Sequence, residues 1–354
     1  MPVFYNESGN LKETPDYVPE ALPLIPHSRY VVGHITWYSV LIMTGAALAI
    51  YLAERLQKQE SLPSDTVIDL ALRIIPFGIL GARIYYVLFS WQNFKDDPLS
   101  VFRVWEGGLA IYGGIISGVA VILIFCRKRH LSVLSVCDII VPGLALAQAI
   151  GRWGNYFNME AYGWALPDGS PLCFFPMAVL IPEGDQNVWH LATFFYESVC
   201  DFLNFLVLLV MRKHLSLPKG QLFRFYILFY SAGRLVIEEL RSDSLYSGSV
   251  RISQLLSFLA ITILLFTLVL QMLDTMRNKG RKSCPRSASL LLILSFLMLL
   301  PAGGSVFSLL RFPESGIPWK LIVLFFFSLV SVISYLTGTL SCLNDRRSAC
   351  PPQP

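Results

Sequence analysis

The chain has 354 residues, of which 54% are hydrophobic and only 15% charged, with a formal net charge of +4. That balance excludes an ordinary soluble domain and a disordered chain, and it points to a protein that crosses a membrane several times. The small positive charge is scattered between apolar runs and gives no footing for nucleic acid.

Residues 1–33 read as an outer segment. Up to Tyr30 they are polar and Pro-rich, without the short apolar core of a cleavable signal. Nine apolar windows follow, at 34–53, 67–89, 108–126, 133–150, 191–211, 222–240, 252–273, 288–310 and 321–340. Each is about the 17–25 residues that a helix needs to span hydrocarbon. The windows around Arg83, Asp138 and Arg234 are too polar to face lipid and are expected to face other helices.

Lys and Arg assign the sides. Arg55 and Lys58, Arg127 to Arg129, Arg212, Lys213 and Lys219, and the basic run from Arg277 to Arg286 mark one set of connections as cytoplasmic. The alternate set is poorer, and the loop 163–189 has no Lys or Arg. The N-terminus and that loop are therefore expected outside, and the C-terminus inside. The seven Cys have no metal-ligand spacing, and neither a metal site nor a disulfide framework is expected.

Depth follows from the helical rise of about 1.5 Å per residue. Tyr38, Arg83, Tyr112, Arg152, Glu197 with Tyr196, and Tyr230 with Arg234 and Glu238 all fall in the outer half of their spans. Their convergence predicts one outward cavity. Structural readings stand beside the functional ones. Arg234 and Glu238 sit four apart and neutralise each other as any i, i+4 pair does. Glu197 serves as a buried partner for an Arg, and Arg83 as a packing counter-ion. Gly107, Gly108, Gly113 and Gly114 let helices approach. His27, His34, His130 and His214 occupy surface or basic positions and are not candidates for chemistry.

Residues 151–163 read G-R-W-G-N-Y-F-N-M-E-A-Y-G, just where an apolar run stops. The planar fork of Arg152 suits bidentate binding of phosphate. Asn155 and Asn158 offer amides to hydroxyls, Gly151 and Gly154 allow close backbone approach, and Glu160 accepts hydrogen bonds or orients an Arg. This is a site for a small, polar, anionic group at a membrane surface.

These residues resemble the prolipoprotein diacylglyceryl transferases, whose members carry G-R-x-G-N-(F/Y)-x-N-x-E-x-x-G, ending here at Gly163. Further matches are Trp37-Tyr38, G-A-R-I-Y-Y-V-L-F at 81–89, W-E-G-G-L-A-I-Y-G-G at 105–114, Gln148-Ala149-Ile150, Tyr196-Glu197, and the series Tyr230, Arg234, Glu238, Arg241, Asp243. Ser253-Gln254 and Ser257 complete the set, so the likeness covers about 30–275.

The resemblance implies an all-α polytopic membrane protein. A seven-helix transferase core at 34–275 carries the outer loop 163–189, and an extension at 276–354 adds two further transmembrane helices. It implies transfer of the diacylglyceryl group of phosphatidylglycerol to the lipobox Cys thiol of prolipoproteins, with release of glycerol 1-phosphate and without cofactor or metal. The setting it implies is the bacterial cytoplasmic membrane, with the site toward the outer face among membrane lipids. Arg152, Arg234 and Tyr112 are the catalytic candidates. Arg152 also counts among the substrate-binding candidates, with Asn155, Asn158, Glu160, Gly163, Tyr38, Arg83, Glu197, Tyr230 and Glu238.

Three departures stand out. Tyr112 occupies a position where many members have His, and a Tyr, titrating near 10 when unperturbed, is a poor base for a thiol. The H-P-x-Q-L-Y-E motif becomes H-L-A-T-F-F-Y-E at 190–197, so no role passes to His190. The last two spans have no counterpart in the usual seven and are expected to be dispensable surface. The competing readings are a lipid or small-anion transporter, for which no internal repeat is visible, a receptor-like structural membrane protein, which would not need several intramembrane Arg and Asn, and an inactive transferase homologue.

Overall fold

The computed structural model describes residues 29–33, 35–60, 62–104, 107–167, 169–183, 186–247, 250–279, 293–295, 297–306 and 319–349. Trp105, Glu106, His27, His34, the run 281–286 and much of the window 288–310 lie outside the described residues, as do 1–28.

Long helices dominate: α1 (Trp37–Gln57), α2 (Thr66–Phe89), α3 (Ile111–Lys128), α4 (Val133–Phe157), α5 (Thr193–His214), α6 (Gln221–Leu240), α7 (Ile252–Lys279), the short α8 (Leu299–Val306) and α9 (Trp319–Ala349). Among the described residues, six of these are long and apolar enough to cross a membrane: α1, α3, α4, α5, α7 and α9. The 24-residue α2 and the 20-residue α6 fill two more of the predicted windows but carry Arg83 and the Arg234–Glu238 pair. The protein is an all-α, multi-pass membrane protein. Its exposed apolar side chains agree: Phe77, Leu80, Leu88, Ile116, Leu203 and Ile263 are all at least half exposed. Water would penalise each by about 1.5–3 kcal/mol, whereas lipid does not.

Helix ends differ from the predicted windows for local reasons. The first begins at Trp37, because Tyr30–Val32 (β1) and Ile35–Thr36 (β2) pair as a short antiparallel ribbon. Thr36 Oγ1 then accepts the Ser39 N–H at 3.2 Å, an N-cap bond. The fourth runs seven residues past 150, so the first turns of the Gly-Arg motif are helical. The loop 163–189 contains order the sequence did not reveal. Ala178–Glu183 (β3) and Gln186–Leu191 (β4) form an antiparallel hairpin, in register from Ala178 opposite Leu191 to Glu183 opposite Gln186. Tyr246–Ser247 (β5) and Val250–Arg251 (β6) make a third small ribbon.

Contacts divide the chain into two compact units. The first holds the described residues of Ala46–Leu144. Gly113 packs so closely on the backbone of Gly81 that a side chain there would collide with it, which joins α2 to α3. Arg129, just past α3, pairs with Asp65 at 3.0 Å and with Asp69 at the start of α2. Leu70, Phe125, Cys126 and Val136 form the core below.

The second unit holds the described residues of Tyr17–Gly45 and Ala145–Pro354. Its core is aromatic, with Tyr156, Phe157, Val179, Ile181 and Phe194 enclosing the end of α4 and the hairpin. Ser198 donates to the Ala149 carbonyl at 2.7 Å, and Tyr226 to Gln148 at 2.8 Å, so α5 and α6 are both tied to α4. The last span, expected to be surface dispensable for chemistry, packs on the helices before it. Gln221 of α6 donates to Tyr335 and Thr339 of α9 at 3.3 and 3.4 Å, and Phe225 meets the Tyr335 ring edge-on at 5.5 Å. Those residues are buried, so α9 is packed protein.

Candidate active site

The motif at the end of α4 is shaped by how the helix stops. Met159 has φ +51°, the Met159 N–H returns to the Tyr156 carbonyl at 3.1 Å, and the Glu160 N–H returns to Asn155 at 2.9 Å. That pair of bonds, around a left-handed residue, is a Schellman stop. A left-handed Met is costly, by roughly 1–2 kcal/mol, so the surroundings hold it: Ala161, also at φ +56°, donates to Asp243 at 3.2 Å and accepts from Thr193 Oγ1 at 2.6 Å. The stop folds Glu160 back beside Asn155, whose side chain donates to the carboxylate. Burial, the largest influence, holds the Glu160 pKa above the usual Glu value.

About two turns before the stop, Arg152 opens into a cluster of charges. Its Nε lies 2.7 Å from Glu197 Oε2, an ion pair by distance without the alignment of a hydrogen bond. Glu197 Oε1 receives Arg234 Nη1 and, at 3.3 Å, Arg241 Nη1. Three guanidiniums therefore converge on one carboxylate that is 4% exposed. Arg234 also pairs with Glu238 at 2.7 Å, and Arg241 with Asp243. A buried charge is tolerable only when paired, and these pairs explain how so many coexist here. Arg152 is the most open of the three, at 22% against 14% and 11%. It is the guanidinium best placed to meet a ligand.

Beside it lies a cleft of about 270 Å³, lined by Arg152, Glu197, Cys200, Asp201, Tyr230 and Arg234 among others. Tyr230 stacks on Tyr226 with ring centres 6.0 Å apart. A second cleft of about 220 Å³ is lined in part by Asn155, Glu160 and Tyr162. Tyr38 packs against Gly154, where a side chain would strike its ring, and it lies within the electrostatic reach of Glu160 and Arg152. Asn158 is 2% exposed, with neither side-chain amide atom hydrogen-bonded among the described residues. Gly163 is fixed by space: a Cβ would meet the Leu240 carbonyl and Leu191. Its carbonyl faces His190 Nδ1 at 2.8 Å, and His190 Nε2 is 3.1 Å from Glu183, so His190 holds the hairpin.

Two candidates belong to the first unit. Arg83 is buried, and its guanidinium is committed to the carbonyls of Ser100, Val101, Arg103, Gly107 and Gly108, at 2.6 to 3.4 Å, with Phe94 beneath it. It gathers the loop before α3. Gly107 has open space around it but φ +92°, so backbone conformation and not helix packing requires glycine there. Tyr112, in the first turn of α3, is half-buried.

Sequence reasoning named Arg241 and Asp243 within a motif but gave them no place in the site, although they link Glu197 to the Ala161 N–H. Asp201 is absent from the candidates read from the sequence, although its spacing of four from Glu197 puts it on the same helical face.

Residues 29–270 match the family described as prolipoprotein diacylglyceryl transferase. The chain belongs to the prolipoprotein diacylglyceryl transferase family. Curated relatives bear the name phosphatidylglycerol–prolipoprotein diacylglyceryl transferase. One from Streptococcus agalactiae is 38% identical over 246 residues, covering 69% of this chain and 92% of the relative. One from Streptococcus suis is 41% identical over 238 residues, covering 67% and 88%. One from Streptococcus equi subsp. equi is 42% identical over 228 residues, covering 64% and 87%. Within this transferase family chain, the matched region ends before α8 and α9.

Proposed function

We propose that this transferase moves the diacylglyceryl group of phosphatidylglycerol onto the lipobox cysteine thiol of prolipoproteins and releases glycerol 1-phosphate. The observation that carries this reading is the convergence of Arg152 and Arg234 on buried Glu197 at the wall of the 270 Å³ cleft. In the reaction the thiolate attacks the lipid glycerol carbon that bears the phosphate, the C–O bond breaks, and its electron pair leaves with the phosphate. Preorganised guanidiniums in a low-dielectric cleft stabilise that developing charge without reorganising. Glu197 and Glu238 hold the two guanidiniums in place.

Asn155, Asn158 and Glu160 position the headgroup hydroxyls, with Tyr38 and Tyr230 beside them and Gly163 keeping the backbone close. Tyr112 hydrogen-bonds headgroup or substrate backbone, and Arg83 acts by ordering its loop. The reading requires neither cofactor nor metal. It sets the working region at 34–275, with 1–33 and 276–354 as flanking segments. It also sets the protein in the bacterial cytoplasmic membrane among membrane lipids, with the cleft toward the outer face. Family membership and the balanced charge cluster support catalysis over a transport role or an inactive homologue.

Complementation tests it. A transferase-depleted bacterium expressing this chain is expected to regain growth and to carry a diacylglyceryl thioether on a reporter lipoprotein, read by mass spectrometry. An unmodified reporter, with the protein at normal abundance in the membrane, overturns the proposal.

A further inference from the structure

Two carboxylates line the cleft beside Arg152, and they stand in opposite situations. Glu197 is consumed by Arg152, Arg234 and Arg241. Asp201, the next residue on the same face of α5, is 4% exposed, forms no ion pair among the described residues, and has its Oδ2 without any hydrogen-bond partner. Leaving a buried carboxylate oxygen unmet costs about 1–3 kcal/mol or more, and a structural role offers nothing in return. Such a group is explained when its partner arrives with the substrate.

Its depth suits the reaction. Four residues place Asp201 about 6 Å along α5 from Glu197, toward the middle of that helix. A lipid whose phosphate is held at Arg152 and Arg234 projects its glycerol carbons and acyl chains in that direction. Cys200, exposed and lining the same cleft, marks where the cleft opens at the surface of the span. Proton acceptors are otherwise scarce. Among the described residues, the cleft lining contains no imidazole and no carboxylate besides Glu197 and Asp201, and a neutral Tyr is a weak base.

We infer that Asp201 is the general base that takes the proton from the incoming cysteine thiol. The inference rests on the transfer reaction proposed above. The carboxylate accepts the S–H proton, and the thiolate forms the C–S bond as the C–O bond to phosphate breaks. The phosphate leaves with that electron pair, and the proton on Asp201 then passes to the departing glycerol phosphate. A positioned base contributes about 10²–10⁴ in rate.

The test is single-turnover transfer to a fluorescent lipobox peptide by the full chain in phosphatidylglycerol-containing vesicles, from pH 6.5 to 8.5. Asp201→Asn is expected to be at least about 100-fold slower near neutrality, with unchanged apparent affinity for the lipid. Its rate should climb about tenfold per pH unit as free thiol ionises with a pKa near 8.5, a slope the wild type lacks. Asp201→Glu should recover part of the rate and flatten the profile. An Asp201→Asn enzyme within twofold of wild type overturns the inference, and so does equal loss in both variants with the wild-type pH profile, which marks a structural group. No transfer by the wild-type chain instead sinks the proposed function itself.

Discussion

Arg241 and Asp243, two residues apart, are joined by a two-pronged ion pair, Nε to Oδ1 and Nη2 to Oδ2, each at 2.9 Å. The pair faces in two directions. Asp243 also accepts the Ala161 N–H beyond the Schellman stop, and Arg241 also reaches Glu197. The end of the Gly-Arg motif and the carboxylate that orients its Arg152 are thereby held by one short link outside either helix. Arg241→Lys keeps the charge but loses the fork. We expect at least a tenfold fall in transfer rate with normal membrane abundance, and a wild-type rate in that variant would show the link to be idle.

Arg152→Lys is expected to remove most transfer while the protein inserts normally. Lys cannot make two parallel bonds to a phosphate. Turnover near the wild-type level, measured on a reporter lipoprotein, would remove Arg152 from the phosphate site.

Tyr112→Phe is expected to reduce transfer without abolishing it, because a hydroxyl that hydrogen-bonds substrate is worth about 0.5–1.5 kcal/mol. Complete loss, restored by His at this position, would instead assign proton transfer to residue 112 and weaken the case for Asp201.

Glu160 gives opposite pH trends for stability and activity. Its folded pKa is raised by burial, so the ionised form costs stability, and that cost is relieved as pH falls through the raised pKa. The protonated acid no longer accepts from Asn155 as a carboxylate does. Transfer is therefore expected to decline on the acid side, beginning above the ordinary Glu value near 4.3, while thermal stability does not decline with it. Glu160→Gln should abolish that acid limb. A limb of unchanged position in the variant would assign it to another group.

Ending the chain near Lys282 is expected to leave the chemistry in place but lower the thermal midpoint by several degrees. The cut uncovers Phe225 and leaves buried Gln221 without Tyr335 and Thr339, a loss on the order of 1–3 kcal/mol. Tyr335→Phe should reproduce a smaller part of the shift. A truncated chain that is abundant, equally stable and inactive would place α9 within the working site.

The sequence by itself determined the class of the molecule and the chemistry on offer. Apolar windows of bilayer length force helices, because hydrocarbon leaves backbone groups no other partner. Arg234 is too costly within such a window to be incidental, and Arg152, Asn155 and Glu160 crowd the point where another window stops. Periodicity and composition carry that information locally, residue by residue. Only the tertiary structure decided how the charges are shared. Residues 45 apart in sequence, Arg152 and Glu197, meet because α4 and α5 pack through Ser198 and Ala149. Arg83 spends its guanidinium on loop carbonyls that no sequence pattern announces. The stop at Met159 was also hidden, since helices usually mark such a turn with Gly or Asn and here distant partners, Asp243 and Thr193, hold the segment beyond it. Asp201 stood in plain view at four from Glu197, but its lack of any partner is a property of the packed protein. Pairing and burial are relations between distant segments, and the chain acquires them only on folding.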